Sequence, residues 1–215
     1  MAWLVFLLFI MGGIYLLIKA QRKKPKMTEV ERIKEPPQSI VTGMTEEHIV
    51  RLAGMLDPAI WKNPPLTVRF ALDWFRGNYR AFELEDGRAI PVPPDYRDVA
   101  KIILRSGTEL TKEQKRGYGI HLNAKVSTSA IEHLTQQGLR DCVQEAQTLA
   151  LAIGAIEHSL INLHDWKEWG EKKVGFSPAP DACPQCKKLK KTYAIDKTPI
   201  PVLDTHLGCR CCLVP

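Results

Sequence analysis

The chain has 215 residues, 45% of them hydrophobic, and a formal net charge of +6. The apolar fraction sustains an ordinary core, so disorder is not the default reading, and the length suits about one folded domain once an apolar N-terminus is set aside. The charge is not spread as on a nucleic-acid-binding face: Lys19, Arg22, Lys23, Lys24 and Lys26 form one collar, six basic and three acidic residues run from Asp181 to the end, and the middle is slightly acidic.

The first element in chain order is the uncharged run Ala2–Ile18, AWLVFLLFIMGGIYLLI. It sits at the short end of the roughly 17–25 apolar residues that span a bilayer. Trp3 and Tyr15 lie near its ends, where amphipathic rings favour the interface. The basic collar follows the run, the wrong side for a cleaved signal peptide. A transmembrane anchor is therefore expected over 1–19, with the lipid bilayer as a partner. The positive-inside bias then makes this a single-pass membrane protein whose C-terminal domain is cytoplasmic or virion-interior.

Residues 20–44 carry Pro25, Pro36 and Pro37 among many charges and read as a linker. A mostly helical domain is expected over 45–170. Thr45 is a natural N-cap, with Glu46 and Glu47 in the first turn and Ile49, Leu52, Ala53 and Leu56 as the buried stripe. Asp57-Pro58 stops that helix, and a second follows Pro64-Pro65 with Val68, Leu72, Phe75 and Tyr79 at helical spacing. Asp86-Gly87 between alternating apolar residues of 82–92 predicts a β-hairpin. Pro93-Pro94 opens another helix, with Tyr96, Val99, Ile102 and Ile103 inward. The longest periodic segment runs from about Ser127 to Trp169, through Ile131, Leu134, Cys142, Val143, Ala146, Leu149, Ile153, Ile156, Leu160 and Leu163, with Gly138 and Gly154 as places where it can break. The expected fold class is mainly α with a small β-hairpin, an N-terminal single transmembrane helix and a C-terminal Cys-rich, zinc-knuckle-like clasp.

That clasp occupies 171–215 and holds five of the six cysteines. Cys183-Pro-Gln-Cys186 is a C-x-x-C on a turn, a spacing that lets two thiolates face one tetrahedral ion. Cys209, Cys211 and Cys212 follow, with His206 as an alternative donor. The candidate metal ligands are thus Cys183, Cys186, His206, Cys209, Cys211 and Cys212, with zinc as the candidate ion. A disulfide clasp and free thiols stand beside that reading; a reducing, cytoplasmic setting favours metal. Lys187, Lys188, Lys190 and Lys191 follow the C-x-x-C and suit a solvated face, with phosphate or nucleic-acid contact as the alternative. Trp166 and Trp169 are expected to support the clasp from below.

No motif for catalysis stands out. There is no G-x-S-x-G, no P-loop and no paired-carboxylate cluster, and Gly117-Tyr-Gly119 lacks the third glycine of a dinucleotide fingerprint. His158 and His164 are not at the H-E-x-x-H spacing, and Cys142 falls on a core stripe. The absent βαβ pattern before Cys183 argues against thioredoxin-like chemistry.

Asp181, Cys183, Cys186, Pro201, His206, Cys209, Arg210, Cys211 and Pro215 stand in an order that resembles the C-terminal signature of the phage Mu protein F-like, or phage head morphogenesis (minor head protein), family. The resemblance covers the C-terminal clasp, and more if the long helix before it is included. It implies a virion structural protein that sits near the portal and assists head assembly or DNA entry, docking on other proteins of an assembly. Two other functions remain open: a membrane-tethered enzyme, nuclease-like or thiol-based, using His133, His158, His164 or the cysteines, and a zinc-binding adaptor outside any viral context.

Overall fold

The structure, a computed structural model, describes residues 28–30, 43–83 and 89–215. The chain falls into two units, one drawing on 1–31 and 80–92, the other on 32–79 and 93–215. The smaller unit is a three-stranded antiparallel sheet of β1 (Thr28–Val30), β2 (Arg80–Glu83) and β3 (Ala89–Val92), in the order β1-β2-β3. Phe82 pairs with Ile90 on one side and Glu29 on the other. The expected hairpin is the β2–β3 pair, and its Asp86-Gly87 turn lies outside the described residues. The third strand, β1, comes from the segment expected to be linker. A single three-residue run flanked by charges carries too little alternation to be read as a strand.

In the larger unit, α1 (Glu46–Gly54) begins at Thr45, whose amide donates to His48 Nδ1 at 3.0 Å. Helix α2 (Pro64–Gly77) is capped by Asn63, and its two prolines sit where a missing N–H costs nothing. Helix α3 (Tyr96–Arg105) is capped by Asp95, which accepts the Arg97 amide at 2.7 Å. A short α4 (Lys112–Tyr118), not expected from periodicity, is held by a Thr111–Gln114 capping box and ends at Gly119 in the left-handed region.

The long periodic segment is three helices: α5 (Thr128–His133), α6 (Gln136–Arg140) and α7 (Cys142–Glu168). The breaks fall at Leu134–Thr135 and Asp141 rather than at the glycines. Thr135 caps α6 through the Gly138 amide, and a neighbouring strand-like segment takes the freed backbone: Lys62 N donates to His133 O at 3.0 Å and Thr135 N to Ile60 O at 2.9 Å. Helix α7 packs on α3 and α2. Leu52, Val68, Leu72, Phe75, Ile103 and Ile153 are fully buried between these helices, each contributing roughly 1.5–3 kcal/mol. Val143, expected inside, is exposed.

The clasp is built on a second antiparallel sheet, β4 (Lys173–Ser177), β5 (Thr192–Ala194) and β6 (Cys212–Val214), ordered β5-β4-β6, with the short α8 (Pro184–Lys188) between β4 and β5. Phe176 pairs with Leu213 and Val174 with Tyr193. Val174, Phe176 and Leu213 are buried, so the clasp has an apolar floor of its own.

The expected transmembrane fold class is corrected. Among the described residues no helix is long and apolar enough to cross a membrane. The longest, α7, has 27 residues, but Glu145, Glu157, Asp165, Lys167 and Glu168 interrupt it, and it buries its apolar side against α3 and α2 instead. The 1–19 run on which the anchor was expected lies outside the described residues. The described chain thus gives no support to a single-pass localisation. The orientation argument that favoured metal over disulfide falls with it, and the cysteines must be judged by their own geometry.

Candidate metal centre

Two loops bring the donors together. The first is the turn into α8, where Cys183 is the N-cap and its Sγ accepts the Cys186 amide at 3.5 Å. The second is the turn 200–205. Ile200 O accepts the Asp204 amide at 2.9 Å, Asp204 Oδ2 accepts the Ile200 amide at 2.6 Å, and Thr205 Oγ1 accepts the Val202 amide at 3.0 Å. Val202 sits at φ 72, a costly conformation for a β-branched residue. Its side chain is fully buried, and the turn it closes leads directly into His206. Arg51 of α1 fixes the turn to the helical layer, donating to Leu203 O at 3.2 Å and to Asp204 Oδ1 at 2.8 Å. Sequence reasoning missed Val202, Thr205 and Arg51; no local pattern marks them.

His206 Nε2 lies 3.4 Å from Cys183 Sγ and 3.4 Å from Cys186 Sγ, and Cys186 Sγ lies 3.8 Å from Cys209 Sγ. His206 Nδ1 donates to Leu207 O at 2.8 Å, which places the ring proton on Nδ1 and leaves the Nε2 lone pair facing the sulfurs. Two overlapping groups result, Cys183–Cys186–His206 and Cys186–Cys209–Cys211, sharing the buried Cys186. These Cys/His groups could hold a metal ion. All six cysteines are free thiols, and the cleft between the loops is lined by these five donors with Ala179, Asp181 and Arg210.

Protonation across the cluster is uneven. The Cys186 amide, with the Gln185 amide and the Cys186 and His206 side chains, draws the Cys183 thiol down to about 7. Burial among neighbouring sulfurs pushes Cys186 well up, and burial also raises Cys211. Cys209 is also pushed up by burial, but the Thr205 hydroxyl and the Cys211 and Val202 amides outweigh it and hold this thiol below its ordinary value. The Leu207 carbonyl raises His206.

Of the expected ligands, Cys212 stands apart. It is exposed on β6, facing Ser177 O at 3.9 Å, and belongs to neither group. Asp181 and Arg210 form an exposed ion pair across the mouth of the cleft. Trp166 packs against the core, but Trp169 is 76% exposed rather than under the clasp. Cys142 is a buried core residue. The three histidines weighed for catalysis do not converge: His133 is buried, bonded to Thr67 Oγ1 at 3.0 Å and stacked on Phe70, and neither it, His158 nor His164 joins a metal-capable group among the described residues. No family model, curated protein or solved structure matches this chain.

Proposed function

We propose that the C-terminal region is a structural zinc clasp and that the chain is a non-enzymatic assembly protein of the kind the Mu F-like minor head proteins represent. The observation that carries the zinc reading is the donor spacing. Zn–S bonds of ~2.3 Å in a tetrahedron put two sulfurs roughly 3.8 Å apart, and a Zn–N bond of ~2.0 Å brings sulfur and nitrogen to roughly 3.5 Å. The Cys186–Cys209 and His206–Cys separations are 3.8 and 3.4 Å. A soft thiolate-rich set with one imidazole suits zinc among common ions. The locked His206 tautomer supports the same reading.

The assembly reading rests on the resemblance in 181–215. With Cys183, Cys186 and His206 joined by one sulfur of the second group, four protein donors would close the shell, and a closed shell stabilises a docking surface rather than activating a substrate. Elemental analysis of the purified full chain should give about one zinc per chain, and a value near zero removes the zinc claim. Portal or terminase genes beside this gene support the head-protein reading; a housekeeping operon removes it.

A further inference from the structure

From Glu171 onward the chain has eight basic and four acidic side chains. In the fold three of those four acids are neutralised: Asp181 by Arg210, Asp196 by Lys167 at 2.7 Å, and Asp204 by Arg51 at 2.8 Å. Two of the three partners come from the helical layer, so folding leaves the clasp more positive than its own composition. Glu171, and Glu168 beside Trp169, remain against the lysines. Lys187, Lys188, Lys190 and Lys191 are all exposed and have no carboxylate partner among the described residues. The same holds for Lys172, Lys173 and Lys197.

Lys172, Lys173 and Lys197 lie at one end of the edge strand β5 and Lys191 at the other, with Lys187 and Lys188 in α8 and Lys190 in the turn that leads into the strand. At one end Ile195 N donates to Lys172 O and Lys173 pairs with Ala194, with Lys197 in the following turn. At the other end Phe176 N donates to Lys191 O, and Lys191 Nζ lies 5.0 Å from the centre of the Tyr193 ring, whose hydroxyl donates to Leu189 O at 3.0 Å. The two ends are four residues apart along β4, about 13 Å at a rise of ~3.3 Å per residue. The Lys167–Asp196 pair ties the end of α7 to the Lys197 turn, which brings Trp169, 76% exposed, to the end holding Lys172 and Lys173.

We propose that the β5 edge, with its two lysine groups and Trp169, is a docking face for the phosphate backbone of a nucleic-acid strand. Every cation on it without a carboxylate partner is a lysine, a point charge suited to sequence-independent phosphate contact; Arg210, whose planar fork would suit carboxylate or phosphate, is already engaged by Asp181. An exposed indole beside lysines is a stacking platform for unpaired bases. The proposal does not depend on the identity of any metal in the clasp.

The test is fluorescence anisotropy of the full chain with a labelled oligothymidylate of about 30 nucleotides, from about 50 to 300 mM salt. Lys187→Glu with Lys190→Glu is compared with Lys112→Glu plus Lys125→Glu, an equal charge change on exposed lysines outside the clasp. The expected result is a loss of about tenfold or more in the clasp variant, a salt slope lowered by about one per lysine removed, and little change in the control. Trp169→Ala should cost about fivefold or more on the single strand. Circular dichroism and zinc content unchanged in each variant show that the fold is kept. Absence of binding at the lowest salt, or equal losses in clasp and control variants, overturns the proposal. So does binding to polyglutamate or anionic vesicles without binding to the oligonucleotide.

Discussion

Glu157, wholly buried in the middle of α7, is gripped by Arg76 of α2, whose Nη2 and Nε donate to the same Oε1 at 2.6 and 3.1 Å. That oxygen also accepts the Met44 amide at 2.9 Å, and Arg76 Nη2 reaches Met44 O at 2.8 Å. One carboxylate thus joins the segment entering α1 to two core helices. Removing one partner of a buried pair leaves an uncompensated charge, so Arg76→Ala should cost about 3–5 kcal/mol in denaturant unfolding. Replacing both with apolar residues of similar size should cost less than Arg76→Ala alone. A Cβ on Gly43 would lie 1.9 Å from Glu157 Oε2, on a carboxylate that the Arg76 and Met44 bonds hold in place, so Gly43→Ala should also destabilise. Unchanged midpoints for Arg76→Ala and Gly43→Ala would show that this junction does not support the fold.

Two helical glycines should respond in opposite directions. A Cβ at Gly138 would stand 2.5 Å from the Ile60 carbonyl oxygen, a backbone atom that cannot step aside, and Gly138→Ala is expected to cost about 1–3 kcal/mol. At Gly154 the nearest atom to such a Cβ is on the Phe75 ring at 3.7 Å, an ordinary contact. There the helix-propensity gain prevails, and Gly154→Ala should stabilise by roughly 0.5–1 kcal/mol. Thermal melts of the two variants read the sign directly.

His133 makes the helical layer sensitive to mild acid. Burial holds its folded-state pKa below 6.5, and its ring bonds to Thr67 and stacks on Phe70. The neutral form belongs to the folded state, while the unfolded chain takes up a proton more readily. Its contribution is therefore present above pH 6.5 and is lost as the pH falls below that value through the lower folded pKa. His133→Gln should lower stability at neutral pH and flatten the fall in melting temperature on acidification relative to the wild type. Parallel pH dependences for the two proteins would exclude the assignment.

Signals that act over three or four residues were legible in the sequence. The Thr45 cap, the Pro64-Pro65 start and the C-x-x-C turn each rest on neighbours in the chain, and the structure has them where local chemistry puts them. Partners far apart in sequence were not legible. Glu157 meets Met44 113 residues away, and the break at Leu134–Thr135 depends on Ile60 and Lys62 arriving from an earlier segment. The periodicity runs on through that break because all three helices face one core, so the pattern reports the shared core and not the joints. The clasp was legible in part: spacing grouped its donors, but the strained Val202 turn that aims His206, and the exclusion of Cys212 onto an edge strand, follow from tertiary geometry alone.

The overlap of the two donor groups makes the clasp unequal in its cysteines. Cys186 belongs to both groups, so if the clasp holds zinc as proposed, Cys186→Ser should bring it from about one per chain to near zero and remove the folding energy such an ion would supply. His206→Ala should do the same, since its Nε2 is the only nitrogen in either group. Cys209 and Cys211 share a group with Cys186 and not with Cys183 and His206; on the zinc reading the ion draws in one of the two sulfurs as its fourth ligand, and either can serve. Each single serine variant should therefore retain most of the zinc, and the double variant should lose it. Cys212→Ser should leave zinc content and melting temperature unchanged, because that thiol faces Ser177 on the other side of the sheet edge. Elemental analysis across this series discriminates sharply: zinc lost from Cys212→Ser, or kept in Cys186→Ser, would place the ion elsewhere. Equal and complete loss from Cys209→Ser and Cys211→Ser would instead require both sulfurs as ligands, leaving Cys183 or His206 outside the set.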